Sequence, residues 1–307
     1  MLEDPSAAEE LNQRQIWLLA ARPKTLPAAA APVFVGSSLA FYHHGFRPLP
    51  ALVTLITALL LQVGANLAND VFDFIRGADN ENRLGPVRVT QSGLLTPRQV
   101  LVGMWVVFGL SAVAGVYLTA VSGWLILLIG GCAILAAIAY TGGPFPLGYY
   151  GLGDLFVFLF FGLAAVCGTY YIQTKTLTAE ALLAAIPMGF LSTAILIVNN
   201  LRDIETDRAV GKHTLAVRLG LQGTRWEYLG CVTAAYLLPL ILTLSGAIPI
   251  WTMTAWLSIP LAVQVTRKVW RLQGKSLNKA LAETGRLELV YGIMFSLGWL
   301  VSTLFAA

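Results

Sequence analysis

The hydrophobic residues of this chain neither alternate at strand spacing nor mark a single stripe along a helix. They run nearly unbroken for 16 to 21 residues at a time, in nine stretches covering residues 26–42, 52–68, 100–120, 124–140, 152–172, 181–198, 228–244, 251–266 and 287–304. A helix needs ~20 apolar residues to cross a ~30 Å hydrocarbon core, so each stretch is predicted to be a membrane-crossing helix. The expected fold is an all-α polytopic membrane bundle of nine helices. Residues 1–15 form a polar tail and residues 16–307 one transmembrane domain, with its polar loops near 69–98 and 199–226. The tail has no basic segment followed by a cleavage site, so the first helix itself is expected to enter the membrane.

Composition agrees with the pattern. Of 307 residues, 57% are hydrophobic and only 12% are charged, against ~45–50% and ~25% in soluble domains. A soluble globular domain and a disordered chain are both excluded, and the mean hydropathy is +0.71. The net charge of +4 is no nucleic-acid signal, because its meaning depends on which side of the bilayer the basic residues lie. With nine crossings, 18 of the 20 lysines and arginines fall on the N-terminal side and only Arg47 and Lys175 on the other. The positive-inside rule then puts the N-terminus and both acidic loops in the cytoplasm of a multi-pass inner-membrane protein. Cys132, Cys167 and Cys231 lie far apart within apolar runs and are read as inert. His43 and His44 stand together on the outer loop without a third metal ligand.

Outside the tail there are twelve acidic residues, and seven of them occupy two short cytoplasmic windows. In the first, Asn66, Asp70 and Asp73 are spaced i, i+4, i+7 on one helix face, followed by Asp79 and Glu81. In the second, Asn199, Asp203 and Asp207 are spaced i, i+4, i+8, with Arg202, Arg208 and Lys212 interleaved. Carboxylates at a membrane helix end are costly unless solvated, paired or bound to a cation. Clustered with amide oxygens they suit Mg²⁺, which shares its shell with water and substrate phosphates. Two facing clusters would hold two ions around one diphosphate, with the arginines and Lys212 as donors to it. Helix capping and positive-inside bias account for any one of these residues, but not for two matching clusters.

The segments ARPKTLPAAAAPV (21–33), NLANDVFDFIRGAD (66–79), GPVRVTQSG (85–93), AYTGGPFPLGYYGLGD (139–154) and NNLRDIETDRAVGKHTLAVRLG (199–220) make the chain resemble a known family. It is the UbiA superfamily of intramembrane aromatic prenyltransferases, and the resemblance is closest to its menaquinone-pathway (MenA) branch, the 1,4-dihydroxy-2-naphthoate polyprenyltransferases. The resemblance runs from about residue 14 to the C-terminus. It implies that Asp70 and Asp73, assisted by Asp79, bind one Mg²⁺ and that Asp203 and Asp207 bind the other, supported by Asn66 and Asn199. It makes Arg76, Arg83, Arg88 and Lys212 candidates for the diphosphate.

The reaction implied is ionisation of a prenyl diphosphate, followed by attack of an electron-rich aromatic carbon on the allylic cation. Such a cation needs a dry pocket with π faces; Tyr140 is the candidate, with Tyr149 and Tyr150 behind it or in the interfacial aromatic belt. The acceptor implied is 1,4-dihydroxy-2-naphthoate, whose carboxylate leaves as CO₂ to give demethylmenaquinol. Arg22 and Lys24 are candidates to hold that carboxylate, although positive-inside bias also puts basic residues there. His213 beside Lys212 is read either as a substrate contact or as part of a turn, and Asp154 at a helix start either as lining the cleft or as capping the helix. The expected partners are these two substrates and membrane lipid, with no nucleic acid and no obligatory protein partner. Two alternatives stand beside this reading: another acceptor such as 4-hydroxybenzoate or homogentisate, and an ion transporter, in which paired intramembrane acids also occur.

Overall fold

The computed structural model describes residues 11–79 and 83–305, and all the regular structure among them is helical. The tail residues 1–10 and Glu81 lie outside the described residues. The helices are α1 Gln13–Ala21, α2 Pro27–Tyr42, α3 Pro48–Ile75, α4 Pro97–Ser122, α5 Leu125–Ala139, α6 Gly153–Thr174, α7 Ala179–Arg202, α8 Ile204–Ala209, α9 Leu215–Leu244, α10 Ile259–Arg271 and α11 Leu277–Phe305. A 3₁₀ segment, Ile250–Ser258, leads into α10.

Their ends follow from local chemistry. Proline stands in the first turn of α2, α3 and α4, where the amide it lacks has no helical partner anyway. Thr96, Thr178 and Thr214 cap α4, α7 and α9, each hydroxyl accepting a bond from the amide three residues on. Arg22, with φ of 52°, ends α1 in the left-handed region. The chain then turns by 53° into α2. That bend puts Thr25 against Gln62 and Asn66 of α3.

Two cores result. One joins α1, α3, α4 and the loop to residue 95 around Leu67, Val71, Val100 and Met104. The larger gathers α2, α6, α7, α9, α10 and α11 around Val35, Met188, Leu191, Tyr291 and Trp299. Helix α7 is its axis: 67% of its most apolar window is buried, against 28% for α3 and 22% for α4, which turn outward. A Cβ on Gly162 would lie 2.5 Å from Gly189 Cα, so only glycine lets the π-helical middle of α6 touch α7. Large apolar side chains such as Val113, Leu135 and Leu257 point outward, as lipid contact requires.

All nine predicted stretches are helical, but nine crossings are more than length and composition establish. Six helices among the described residues are long and apolar enough to cross a membrane, and the bent α1–α2 pair makes seven. Helix α5 has 15 residues and reaches only about 22 Å at 1.5 Å per residue. The 250–271 stretch divides into a 3₁₀ turn and a 13-residue helix. Helix α1, meanwhile, begins within the predicted polar tail. Multiple crossings make this a multi-pass membrane protein.

Candidate active site

Between the two cores lies a cavity of about 1560 Å³. Its apolar walls come from α2, α4, α5 and α6, and its polar end from the last turns of α3 and α7 and the loops that follow them. Gln62, Asn66, Asn69 and Asp73, spaced i, i+4, i+7, i+11 along α3, form one polar wall. Basic residues dominate the rest of that end: Arg22, Lys24, Arg83, Arg88, Lys212, Lys275, Lys279 and Arg286 line it, with Asp73 and Glu283 the acidic ones.

The aspartates fare differently from one another. Asp73 accepts from Arg88 Nη2 at 3.0 Å and from the Tyr149 hydroxyl at 3.1 Å. Lys212 Nζ lies 3.9 Å from Asp73 Oδ1 and 3.8 Å from Asp207 Oδ1, so one ammonium joins the two motifs. Burial pushes the Asp207 carboxyl up to about 6, with Asp203 and Asp73 adding to the shift and Lys212 opposing it. Asp70 points away from the cavity. Its two oxygens accept the backbone amides of Val89 and Thr90 at 3.2 and 3.1 Å, which pins the 83–95 loop. Asp79 is paired with Arg83, and its Oδ2 lies 3.0 Å from Arg88 Nε without hydrogen-bond alignment.

Asp203 is gripped by Arg202 through two bonds of 2.8 and 2.5 Å. That pairing holds its carboxyl below the usual range although burial alone would raise it. The same guanidinium donates to Asn199 Oδ1 and Asn278 Oδ1, each at 2.8 Å, and Asn278 donates in turn to Leu84 O at 3.0 Å. Arg202 is thus the hub tying α7, α11 and the 83–86 turn together.

Several predicted residues take other places. Asn66 donates to Ala21 O and Thr25 Oγ1, both at 2.9 Å, bracing the α1–α2 bend instead of supporting a metal ligand. Arg76 is exposed and bound to the Thr141 and Gly143 carbonyls, away from the cavity. Arg83, Arg88, Asn199, Lys212, Arg22, Lys24 and Tyr140 all line the cavity. Burial, with Arg88 nearby, lowers the Arg83 guanidinium to about 10. Tyr149 lies behind Asp73 with Lys212 4.9 Å from its ring centroid, and burial together with Asp73 raises its phenol, keeping it a donor. Tyr150 stacks on Phe145 at the surface. Asn69, whose Oδ1 accepts from Thr141 Oγ1 at 3.1 Å, and Gln62 escaped the sequence reading. The signal for both was there: they fall on the helical face of Asp73, whereas Asp70 does not.

Among the described residues no group of three or more His, Cys, Asp or Glu is arranged to hold a metal ion by itself. This donor set still fits Mg²⁺, which keeps several waters and is bound by one or two carboxylates plus substrate phosphates. Asp73 and Asp207 are the carboxylates whose oxygens share Lys212 and are not locked by backbone amides or by an arginine fork.

A model of the UbiA prenyltransferase family matches residues 29–304. The chain belongs to this family. It is 40% identical over 304 residues to 1,4-dihydroxy-2-naphthoate octaprenyltransferase of Escherichia coli (strain K12), covering 96% of this chain and 98% of that one. To the protein of the same name from Mycobacterium tuberculosis it is 41% identical over 278 residues, with 90% and 94% covered. UbiA prenyltransferase domain-containing protein 1 of Homo sapiens is 32% identical over 290 residues, with 92% and 82% covered. The fold is that of a UbiA homolog from Aeropyrum pernix K1, with TM-score 0.69, 17% identity and coverage of 92% and 98%. A UbiA homolog from Archaeoglobus fulgidus bound to DMAPP and Mg²⁺ matches with TM-score 0.64, 15% identity and coverage of 91% and 98%. This UbiA-family protein is accordingly an enzyme, a prenyltransferase.

Proposed function

We propose that the enzyme transfers a polyprenyl group from its diphosphate to 1,4-dihydroxy-2-naphthoate, releasing diphosphate and CO₂ and forming demethylmenaquinol. The observation that carries this reading is one cavity with two chemistries: a basic, aspartate-bearing end that opens into an apolar corridor. Its volume exceeds the ~300–1,000 Å³ of ordinary small-molecule pockets, leaving room for a long chain beside an aromatic acceptor. The names of the bacterial relatives support the acceptor.

Asp73 and Asp207 are the residues to hold Mg²⁺, with Asn69 and Asn199 as neutral oxygen neighbours. An ion held there would supply charge neutralisation for the diphosphate as the allylic C–O bond breaks. Two ions, one per motif, suit a diphosphate. Lys212, Arg83 and Arg88 bind the leaving group's oxygens and keep the electron pair on it. The apolar walls and Tyr140 exclude water from the allylic cation and offer it a π face. The ring carbon bearing the carboxylate then bonds to the allylic carbon. CO₂ leaves, and the electrons of the broken C–C bond restore the aromatic ring, so that carbon gives up no proton. Arg22 and Lys24 hold the carboxylate until that step.

The nine helical stretches are read as nine crossings of the inner membrane, with the N-terminus and both aspartate-bearing loops cytoplasmic. The separation of 18 of 20 basic residues to that side supports it. Reporter fusions in the 43–47 and 211–213 turns are expected to report opposite sides.

The deciding assay combines the detergent-purified protein with 1,4-dihydroxy-2-naphthoate, a long prenyl diphosphate and Mg²⁺, with EDTA as control. Mass spectrometry is expected to find a prenylated, decarboxylated naphthoquinol that EDTA abolishes. Product only with 4-hydroxybenzoate or homogentisate would overturn the acceptor and keep the prenyl transfer.

A further inference from the structure

Four polar atoms of cavity-lining side chains are buried without a hydrogen-bond partner among the described residues: Arg88 Nε and Nη1, on the guanidinium that faces Asp79, and Arg22 Nη2 and Gln62 Oε1. Gln62 belongs to a network whose polarity can be worked out and which reaches the backbone carbonyl of Arg22 through Thr25. Ala21 O is a carbonyl and can only accept, so the Asn66 amide must turn its nitrogen toward it, at 2.9 Å. Asn66 Oδ1 therefore faces the other way, toward Gln62, which must answer with its own nitrogen at 3.4 Å. Thr25 reaches the same conclusion independently: its hydroxyl hydrogen goes to Arg22 O at 3.0 Å, so its oxygen has only lone pairs left. It accepts from Asn66 Nδ2 at 2.9 Å and from Gln62 Nε2 at 3.1 Å. A flipped Gln62 would press its oxygen against that of Asn66. The amide oxygen of Gln62 is thus left over as an acceptor, in the wall of the same cavity as the Arg22 guanidinium with its donor left over.

Unpaired buried polar groups of this kind cost stability unless a ligand answers them. The ligand that does so has an anionic acceptor for Arg22 and a hydroxyl donor for Gln62. We infer that Gln62 is a specificity-determining residue: its Oε1 receives a ring hydroxyl of the aromatic acceptor while Arg22 Nη2 receives the carboxylate. This rests on the hydroxynaphthoate reading above and adds to it a residue that selects hydroxylated aromatic acids over their deoxy analogues.

The test is a binding series with detergent-purified enzyme and three acids: 1,4-dihydroxy-2-naphthoate, 1-hydroxy-2-naphthoate and 4-hydroxy-2-naphthoate. Wild type is expected to bind one monohydroxy analogue about tenfold or more weakly than the dihydroxy acid, and this identifies the hydroxyl that Gln62 meets. Gln62→Met, which keeps the length and removes the acceptor, is expected to bind the dihydroxy acid about tenfold more weakly. It should also lose the discrimination, while KM for the prenyl diphosphate stays at the wild-type value and reports an intact fold. A wild type that binds all three acids equally overturns the inference, a result that needs no variant to fold. So does a Gln62→Met enzyme that keeps wild-type discrimination. An enzyme that binds none of the three overturns the proposed acceptor, and this inference with it.

Discussion

Lys212 stands between two carboxylates from motifs more than a hundred residues apart in the chain, Asp73 and Asp207. Its single positive charge offsets part of theirs; in the proposed reaction it is placed to turn to the diphosphate. Asp73→Asn and Asp207→Asn are each expected to lower prenyl transfer by about a hundredfold or more, because each removes a charge that the leaving group's cation needs. Product counted by mass spectrometry at saturating substrates checks this, and turnover kept in both variants would sink the two-motif proposal. Asp207 also sets a pH dependence. Its carboxyl titrates near 6, above its ordinary 3.8, and a protonated carboxyl is no ligand. The Mg²⁺ concentration for half-maximal turnover is therefore expected to rise as pH falls through about 6, by up to about tenfold per unit. For the metal-free fold the sign is opposite. A raised carboxyl favours the protonated native state, so the stability Asp207 contributes is full below 3.8 and gone above about 6. At this scale the sequence identified the acids and Lys212, while the partner each one meets depended on where loops 83–95 and 211–214 fold back.

The elements explain why Asp70 and Asp73, three residues apart on α3, do different work. A step of three residues turns about 60° short of a full circle, enough to aim Asp73 at the cavity and Asp70 at the loop beside it. Asp70→Asn has only one accepting oxygen for two amides. It is expected to speed hydrogen exchange at Val89 and Thr90 while α3 keeps its protection, as exchange mass spectrometry can measure. Arg202 does the equivalent for the second motif, with its side chain 1% exposed. Arg202→Ala leaves Asp203, Asn199 and Asn278 without their shared donor and is expected to cost about 3–5 kcal/mol of stability. Denaturant titration in detergent checks it, and Arg202→Lys should recover only part, since an ammonium lacks the planar fork. Helix positions were legible because an apolar run is a local signal. The α1–α2 bend and the π-helical middle of α6 were not, because they answer to packing against α3 and α7.

For the whole molecule, the decisive object is the corridor between the two cores. Gly130, Gly131 and Gly168 line it, and a Cβ added to any of them meets nothing within 4 Å. A larger side chain there enters the corridor without disturbing the packing. Gly168→Leu is expected to suppress turnover of long prenyl diphosphates while leaving that of a short donor such as DMAPP largely intact, as competition between chain lengths would reveal. Equal loss for both lengths would remove the corridor from the chain-binding role. What the sequence by itself determined is the membrane environment, the helical class and the pairing of two aspartate-rich loops, because hydropathy and helical spacing act over a few turns. Only the tertiary structure decided that Asp73 and Asp207 share one lysine, that Asp70 and Asp203 are held by a loop and an arginine, and that Gln62 faces the cavity with a free oxygen. Those outcomes depend on contacts between residues up to about 140 positions apart, and the geometry of such contacts is set by how whole helices pack and not by any local pattern.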